Sequence, residues 1–284
     1  MATSRILVAA LVVALLLPAL ASAAGRPSVA ALQVALRAEG TYSGSIDGIR
    51  GPGTRAAVAR FQLRRGIGTD GVAGRRTRRA LGRRGRPPIG SRPIRNGMRG
   101  WDVAALQFNL AKHGFPSGPV DGGFGPRSAS ALRRYQRWAG LGADGVAGPA
   151  TSRALRRRPA RSVLRFLAPL DGRIGDRFGP RGNRFHAGLD YPAAAGTRVA
   201  AAGRGCVSFA GYDSSGFGNT VIIRHRRGMR TLYAHLASIS VPRGRCLVAG
   251  DRLGTVGSTG YSTGPHLHFE MRVRGALVNP LSGL

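Results

Sequence analysis

The strongest constraint on the fold is an internal repeat. Sliding the sequence on itself by 74 positions aligns Ala31-Leu-Gln33 with Ala105-Leu-Gln107, Ser43-Gly44 with Ser117-Gly118, and Asp47-Gly48 with Asp121-Gly122, without a gap. The match runs on through Gly51-Pro52 and Gly125-Pro126, then Phe61-Gln62 and Tyr135-Gln136. It ends on Asp70-Gly-Val-Ala-Gly74 and Asp144-Gly-Val-Ala-Gly148, then Ala80-Leu81 and Ala154-Leu155. Such self-similarity marks a tandem duplication, so both copies must adopt one fold. Within the first copy apolar spacing predicts three short helices, carrying Val29, Leu32 and Leu36, then Ala56, Val58 and Phe61, then Thr77 and Leu81. Glycine and proline clusters at 43–53 and 66–74 separate them. A unit of about fifty-five residues is small but able to fold alone. The predicted modules are 27–82 and 97–156, with a Pro/Arg-rich linker at 83–96 and a shorter one at 157–162.

These copies resemble the peptidoglycan-binding domain 1 family, through the ALQ start, the D-G-x-x-G-P turn, the [FY]Q pair and the DGVAG…T…AL end. The resemblance implies three-helix wall-targeting modules with bacterial peptidoglycan as partner. Asp47, Gly48, Gly51, Pro52 and their counterparts are explained first by turn geometry. Phe61, Tyr135 and Trp138 are assigned to the core, and Trp101 is the aromatic with least claim to burial.

Residues 1–23 read as a secretory signal peptide: Arg5, an apolar run over 6–20, and the small-residue site Ala21-Ser22-Ala23. The run is too short and Ala-rich for a stable membrane span. The mature chain is expected outside the cytoplasm, secreted and associated with the cell wall. There the two cysteines, Cys206 and Cys246, are expected to form a disulfide, and neither has the spacing of a zinc ligand. The formal net charge is +32, concentrated upstream of residue 163. Such a surface attracts polyanions. Outside the cell these are anionic wall polymers, so no nucleic-acid partner is expected.

From Phe166 onward short apolar runs alternate with glycine-rich turns. The runs starting at Val199, Gly205, Asn219, Met229 and Arg252 read as strands, predicting a mainly antiparallel β domain over 163–284. The fold class is therefore multidomain, two small all-α modules followed by a β domain. Four of the six histidines fall in this domain in motif-like settings: His186-Ala-Gly-Leu-Asp190, Tyr233-Ala-His235 and His266-Leu-His268. Imidazoles and a carboxylate are the ligands of a catalytic zinc, which takes three protein ligands and leaves a position for water. In a strand His266 and His268 project to the same side. His225, between two arginines, reads as a surface residue.

Five motifs in order, Arg177-Phe-Gly-Pro-Arg181, HAGLD, Gly218-Asn219-Thr-Val-Ile-Ile, YAHL and Gly260-Tyr-Ser-Thr-Gly-Pro-His-Leu-His-Phe-Glu270, resemble the M23 (lysostaphin/LytM-type) zinc endopeptidases. The resemblance implies one zinc per chain on His186, Asp190 and His268, with His235 and His266 handling protons beside its water. Arg181 and Asn219 are candidate substrate contacts, and Glu270, on the His268 side of its strand, is a candidate support for that ligand.

The leading expectation is a secreted, monomeric zinc metalloendopeptidase that cleaves peptide cross-links of peptidoglycan. The competing one is a non-catalytic wall-binding or amidase-activating protein of the same fold. Which peptide bond is cut, D-Ala to diaminopimelate or a glycine bridge, is not encoded in the motifs.

Overall fold

The computed structural model describes residues 25–82 and 90–284. The expected signal segment and the first half of the expected linker, 83–89, lie outside these residues. Among the described residues six α-helices come first: α1 (Pro27–Ala38), α2 (Pro52–Arg64), α3 (Arg75–Ala80), α4 (Trp101–Lys112), α5 (Pro126–Trp138) and α6 (Pro149–Ala154). Proline in the first turn starts four of them, where its missing N–H costs nothing and its φ is already helical. On α2 the core face is Thr54, Ala57, Val58 and Phe61, so Ala57 and not Ala56 turns inward.

One polar device recurs four times. A helix glutamine reaches across to an Asp-Gly turn: its Nε2 donates to the Asp Oδ1, to a turn carbonyl and to a Thr or Ser hydroxyl, while its Oε1 accepts from the glycine N–H. The sets are Gln33 with Asp47, Gly48 and Thr54; Gln62 with Asp70, Gly71 and Thr77; Gln107 with Asp121, Gly122 and Ser128; and Gln136 with Asp144, Gly145 and Thr151. Every amide atom is satisfied inside the module, as buried polar groups require. Gly48 has a left-handed φ of 70°, and a Cβ there would meet the Arg26 backbone at 2.8 Å. The turn residues thus have full structural employment.

The modules do not keep separate cores. Leu32, Leu36 and Phe61 of the first pack with Ala104, Ala105 and Phe108 of the second. The other face of α4, Val103, Leu106 and Leu110, joins Tyr135 in a core continuous with Leu189, Val221 and Phe269 of the β domain. A helix buried on two faces must carry apolar residues on both, as α4 does, and its buried polar residues Asp102 and Gln107 are paired. Nor is 83–96 linker throughout: Ile94 is buried and bridges to Ala147, and Arg92 Nε pairs with buried Asp102 at 2.8 Å.

The strands are β1 (Gly179–Arg181), β2 (Arg184–His186), β3 (Leu189–Pro192), β4 (Arg198–Ala200), β5 (Gly205–Asp213), β6 (Gly218–Arg224), β7 (Met229–Ala234), β8 (Leu236–Ile239), β9 (Cys246–Leu247), β10 (Arg252–Val256), β11 (His266–Val273) and β12 (Ala276–Val278). The main sheet is ordered β12-β11-β7-β6-β5-β9, with β3 on the N-terminal half of β11; β4-β10-β8 form a second sheet and β1-β2 a hairpin. All pairings are antiparallel. A Cys206–Cys246 disulfide ties edge strand β9 to β5.

Both modules grip the tip of the β1-β2 hairpin. The Gly182 carbonyl accepts from Ile46 N–H and the Asn183 carbonyl from Val120 N–H, each at 2.8 Å. Among the described residues, no helix is long and apolar enough to cross a membrane.

Candidate metal centre

Three strands converge on one point. His186 ends β2, Asp190 lies in β3, and His268 lies in β11 directly opposite Asp190 in the β3-β11 register. His186 Nε2 is 3.1 Å from Asp190 Oδ1 and 3.2 Å from His268 Nδ1, and the last two atoms are 2.8 Å apart. Ligand atoms around a tetrahedral zinc with bonds of about 2.0–2.1 Å lie roughly 3.3 Å from one another, so a slight outward relaxation would seat the ion.

Ring protonation fits the same role. A carbonyl oxygen only accepts, so His186 Nδ1, 3.0 Å from the Arg177 carbonyl, carries the proton and leaves the Nε2 lone pair for metal. On His268 the arrangement is reversed: Nε2 faces Glu270 Oε1 at 3.3 Å, leaving Nδ1 toward Asp190. Buried Glu270 is in turn held by Arg272 at 2.7 Å. Its carboxyl is lowered despite burial, by bonds from His268 and the Arg272 charge. Burial opposes charge on His268 too, but Asp190 and Glu270 outweigh it and raise the metal-free imidazole to about 9. Burial likewise opposes charge on Asp190, and bonds from His186 and His268 hold it well below the usual carboxylate range.

His235 and His266 complete the cluster, their ring centroids 4.7 Å apart, with His235 5.9 Å from His268. His235 Nδ1 donates to the Thr259 carbonyl and His266 Nδ1 to the Gly264 carbonyl, both at 2.8 Å. Both therefore present a proton-accepting Nε2. His266 Nε2 lies 3.9 Å from Asp190 Oδ1. His235 occupies the bend between β7 and β8 at φ 61°, a left-handed conformation that costs a non-glycine residue of order 1 kcal/mol. Burial lowers the His235 pKa, against the carbonyl bond that raises it.

Arg181 stands at the end of β1, paired with Asp176 at 2.8 Å, on the rim of a groove that holds the histidines. Asn219 is on β6; its amide turns to the Ala237 carbonyl at 3.4 Å, and it does not line that groove. His225 is buried, not surface, bonded to the Arg204 carbonyl and Thr231 Oγ1, because its strand end folds beneath Phe166. Trp101 is partly buried against the first module's core. The carbonyls of Arg177, Thr259 and Gly264, which fix three tautomers, left no mark in the sequence, since any residue supplies one.

Residues 184–280 match peptidase family M23, and residues 25–81 and 99–155 each match the peptidoglycan binding domain PG_binding_1. The chain carries an M23 peptidase domain behind two peptidoglycan-binding domains. It is 50% identical over 99 residues to the DD-carboxypeptidase/endopeptidase Mpg of Neisseria meningitidis serogroup B, covering 35% of this chain and 23% of Mpg. It is 37% identical over 115 residues to the murein hydrolase activator NlpD of Salmonella dublin, covering 40% of this chain and 29% of that one. The chain thus spans well under half of these curated relatives. The lysostaphin catalytic domain from Staphylococcus simulans is 34% identical, with 39% of this chain and 90% of that one covered, at a TM-score of 0.37.

Proposed function

We propose that this M23 protein is a secreted, zinc-dependent endopeptidase that hydrolyses peptide cross-links of bacterial peptidoglycan, working as a monomer held on the wall by its two modules. One observation carries the reading: His186 Nε2, Asp190 Oδ1 and His268 Nδ1 converge within 3.2 Å on an open groove, with two further imidazoles beside them. His186, Asp190 and His268 would hold the ion. A zinc bound there supplies Lewis acidity, polarising a carbonyl and acidifying water. His235 and His266 accept a proton through Nε2, return it to the leaving amine, or steady a developing oxyanion. Burial lowers the His235 pKa, which favours the accepting, neutral form. Arg181 on the groove rim is a substrate contact in this reading. The arginine-rich surface adds long-range attraction to anionic wall polymers.

A second reading, a non-catalytic activator, is favoured by the similarity to NlpD. The full set of ligands and both accessory histidines support catalysis over it. Muropeptide release from purified walls, followed by mass spectrometry, tests the choice and names the bond. Release abolished by chelation and restored by zinc is the expected result. A chain that holds no zinc, or that releases nothing while stimulating a wall amidase, overturns the proposal.

A further inference from the structure

The groove at the metal centre is not built by the peptidase domain alone. Its lining includes Pro116, Gly118, Pro119 and Arg127 of the second module, and its volume is about 1300 Å³. Arg127, in the first turn of α5, lies against the 116–119 turn: a Cβ on Gly118 would sit 3.9 Å from both its Cδ and its Nη1. Arg181 and Arg184 line the same groove, carried on the hairpin whose tip both modules hold at 2.8 Å. The acidic groups that line it are already engaged: Asp176 with Arg181, Asp190 with His186 and His268, Glu270 with His268 and Arg272. Arg127 and Arg184 make no ion pair among the described residues. Two uncommitted guanidinium groups in a groove suit an anionic oxygen ligand, and on a peptide substrate that ligand is a carboxylate, which a guanidinium binds through paired N–H donors.

We infer that the second module is part of the substrate site, and that Arg127 with Arg184 forms a subsite for a free carboxylate on the peptide being cut. This rests on the endopeptidase reading. It makes Arg127, outside the peptidase domain, a specificity-determining residue. The carboxylate belongs either to a side chain of the peptide or to its C-terminus, and both present the same chemistry to the arginines.

The test uses the zinc-loaded full chain and three soluble stem peptides: one with both carboxylates free, one with the side-chain carboxylate amidated, and one with the C-terminus amidated. Affinity by calorimetry and hydrolysis kinetics are measured for wild type, Arg127→Ala, Arg127→Lys and, as a remote control, Arg226→Ala. Wild type is expected to prefer the free peptide, and the amide that removes the preference identifies which carboxylate is bound. Arg127→Ala should raise Kd and KM for the free peptide roughly five- to tenfold while leaving kcat and the binding of that amide unchanged. Arg127→Lys, which keeps the charge but not the paired donors, should lose part of the preference, and Arg226→Ala none of it. An Arg127→Ala chain that binds the free peptide as wild type does, or loses free and amidated peptides equally, overturns the subsite. Binding with an Arg127-dependent preference but no cleavage overturns the endopeptidase reading and leaves the subsite standing. A wild-type chain that binds none of the peptides overturns both.

Discussion

Asp190 and His268 face each other across the β3-β11 pair, with Oδ1 2.8 Å from Nδ1. Without metal, the carboxylate and the imidazole share a proton at the point where an ion would sit. That proton is held strongly, His268 being raised to about 9. Below that value zinc must displace it, so binding is linked to proton release. At pH 7 His268 should contribute about one released proton, read from titrations in buffers of different ionisation enthalpy. Zinc affinity should climb with pH up to about 9 and then lose this contribution. A release independent of pH between 7 and 10 would show that His268 carries no such proton.

Glu270 grips the far side of the His268 ring at 3.3 Å. Glu270→Gln keeps the shape but weakens the pull on Nε2–H. Zinc affinity should fall by about 10- to 100-fold, as for other residues that orient a metal-bound histidine. Metal-buffered titration measures it directly.

His235 and His266 stand beside the centre, and in the proposed function neither binds the ion. His235→Ala and His266→Ala should each retain about one zinc while kcat falls by roughly 10²–10⁴. Zinc loss in either variant would move that residue into the ligand set.

The Gln136 amide satisfies Asp144, the Val146 carbonyl, Thr151 and Gly145 N–H at once. Gln136→Leu leaves the buried Thr151 hydroxyl and Gly145 N–H without this partner, each costing about 1–3 kcal/mol. A loss of roughly 2–4 kcal/mol in denaturant unfolding is expected, with zinc binding unchanged.

The Cys206–Cys246 bridge closes a separation of 40 residues. Constraint of the unfolded chain predicts that reduction lowers stability by about 4 kcal/mol. Melting with and without reductant checks this, and an equal melting temperature would assign the bridge no stabilising role.

Much of this architecture was legible because duplication and strand alternation are properties of residue order. Five runs read as strands coincide with β4, β5, β6, β7 and β10. Ala56 was misplaced because two adjacent alanines give the helical period nothing to choose between. The burial of His225 depends on Phe166 arriving from another segment. The glutamine networks were half visible, as a repeated Gln and a repeated Asp-Gly, but their closure required the fold. Arg127 was hidden altogether: one arginine among many in a basic chain gains meaning only from the groove it borders.

Because α4 belongs to two cores and both modules hold the hairpin that leads to His186, the proposed gripping and cutting would share a single frame. A tethered blade samples every bond within its leash. In the proposed function the distance from anchor to cut is a dimension of the protein, so the wall would be opened at a set offset from each point of attachment.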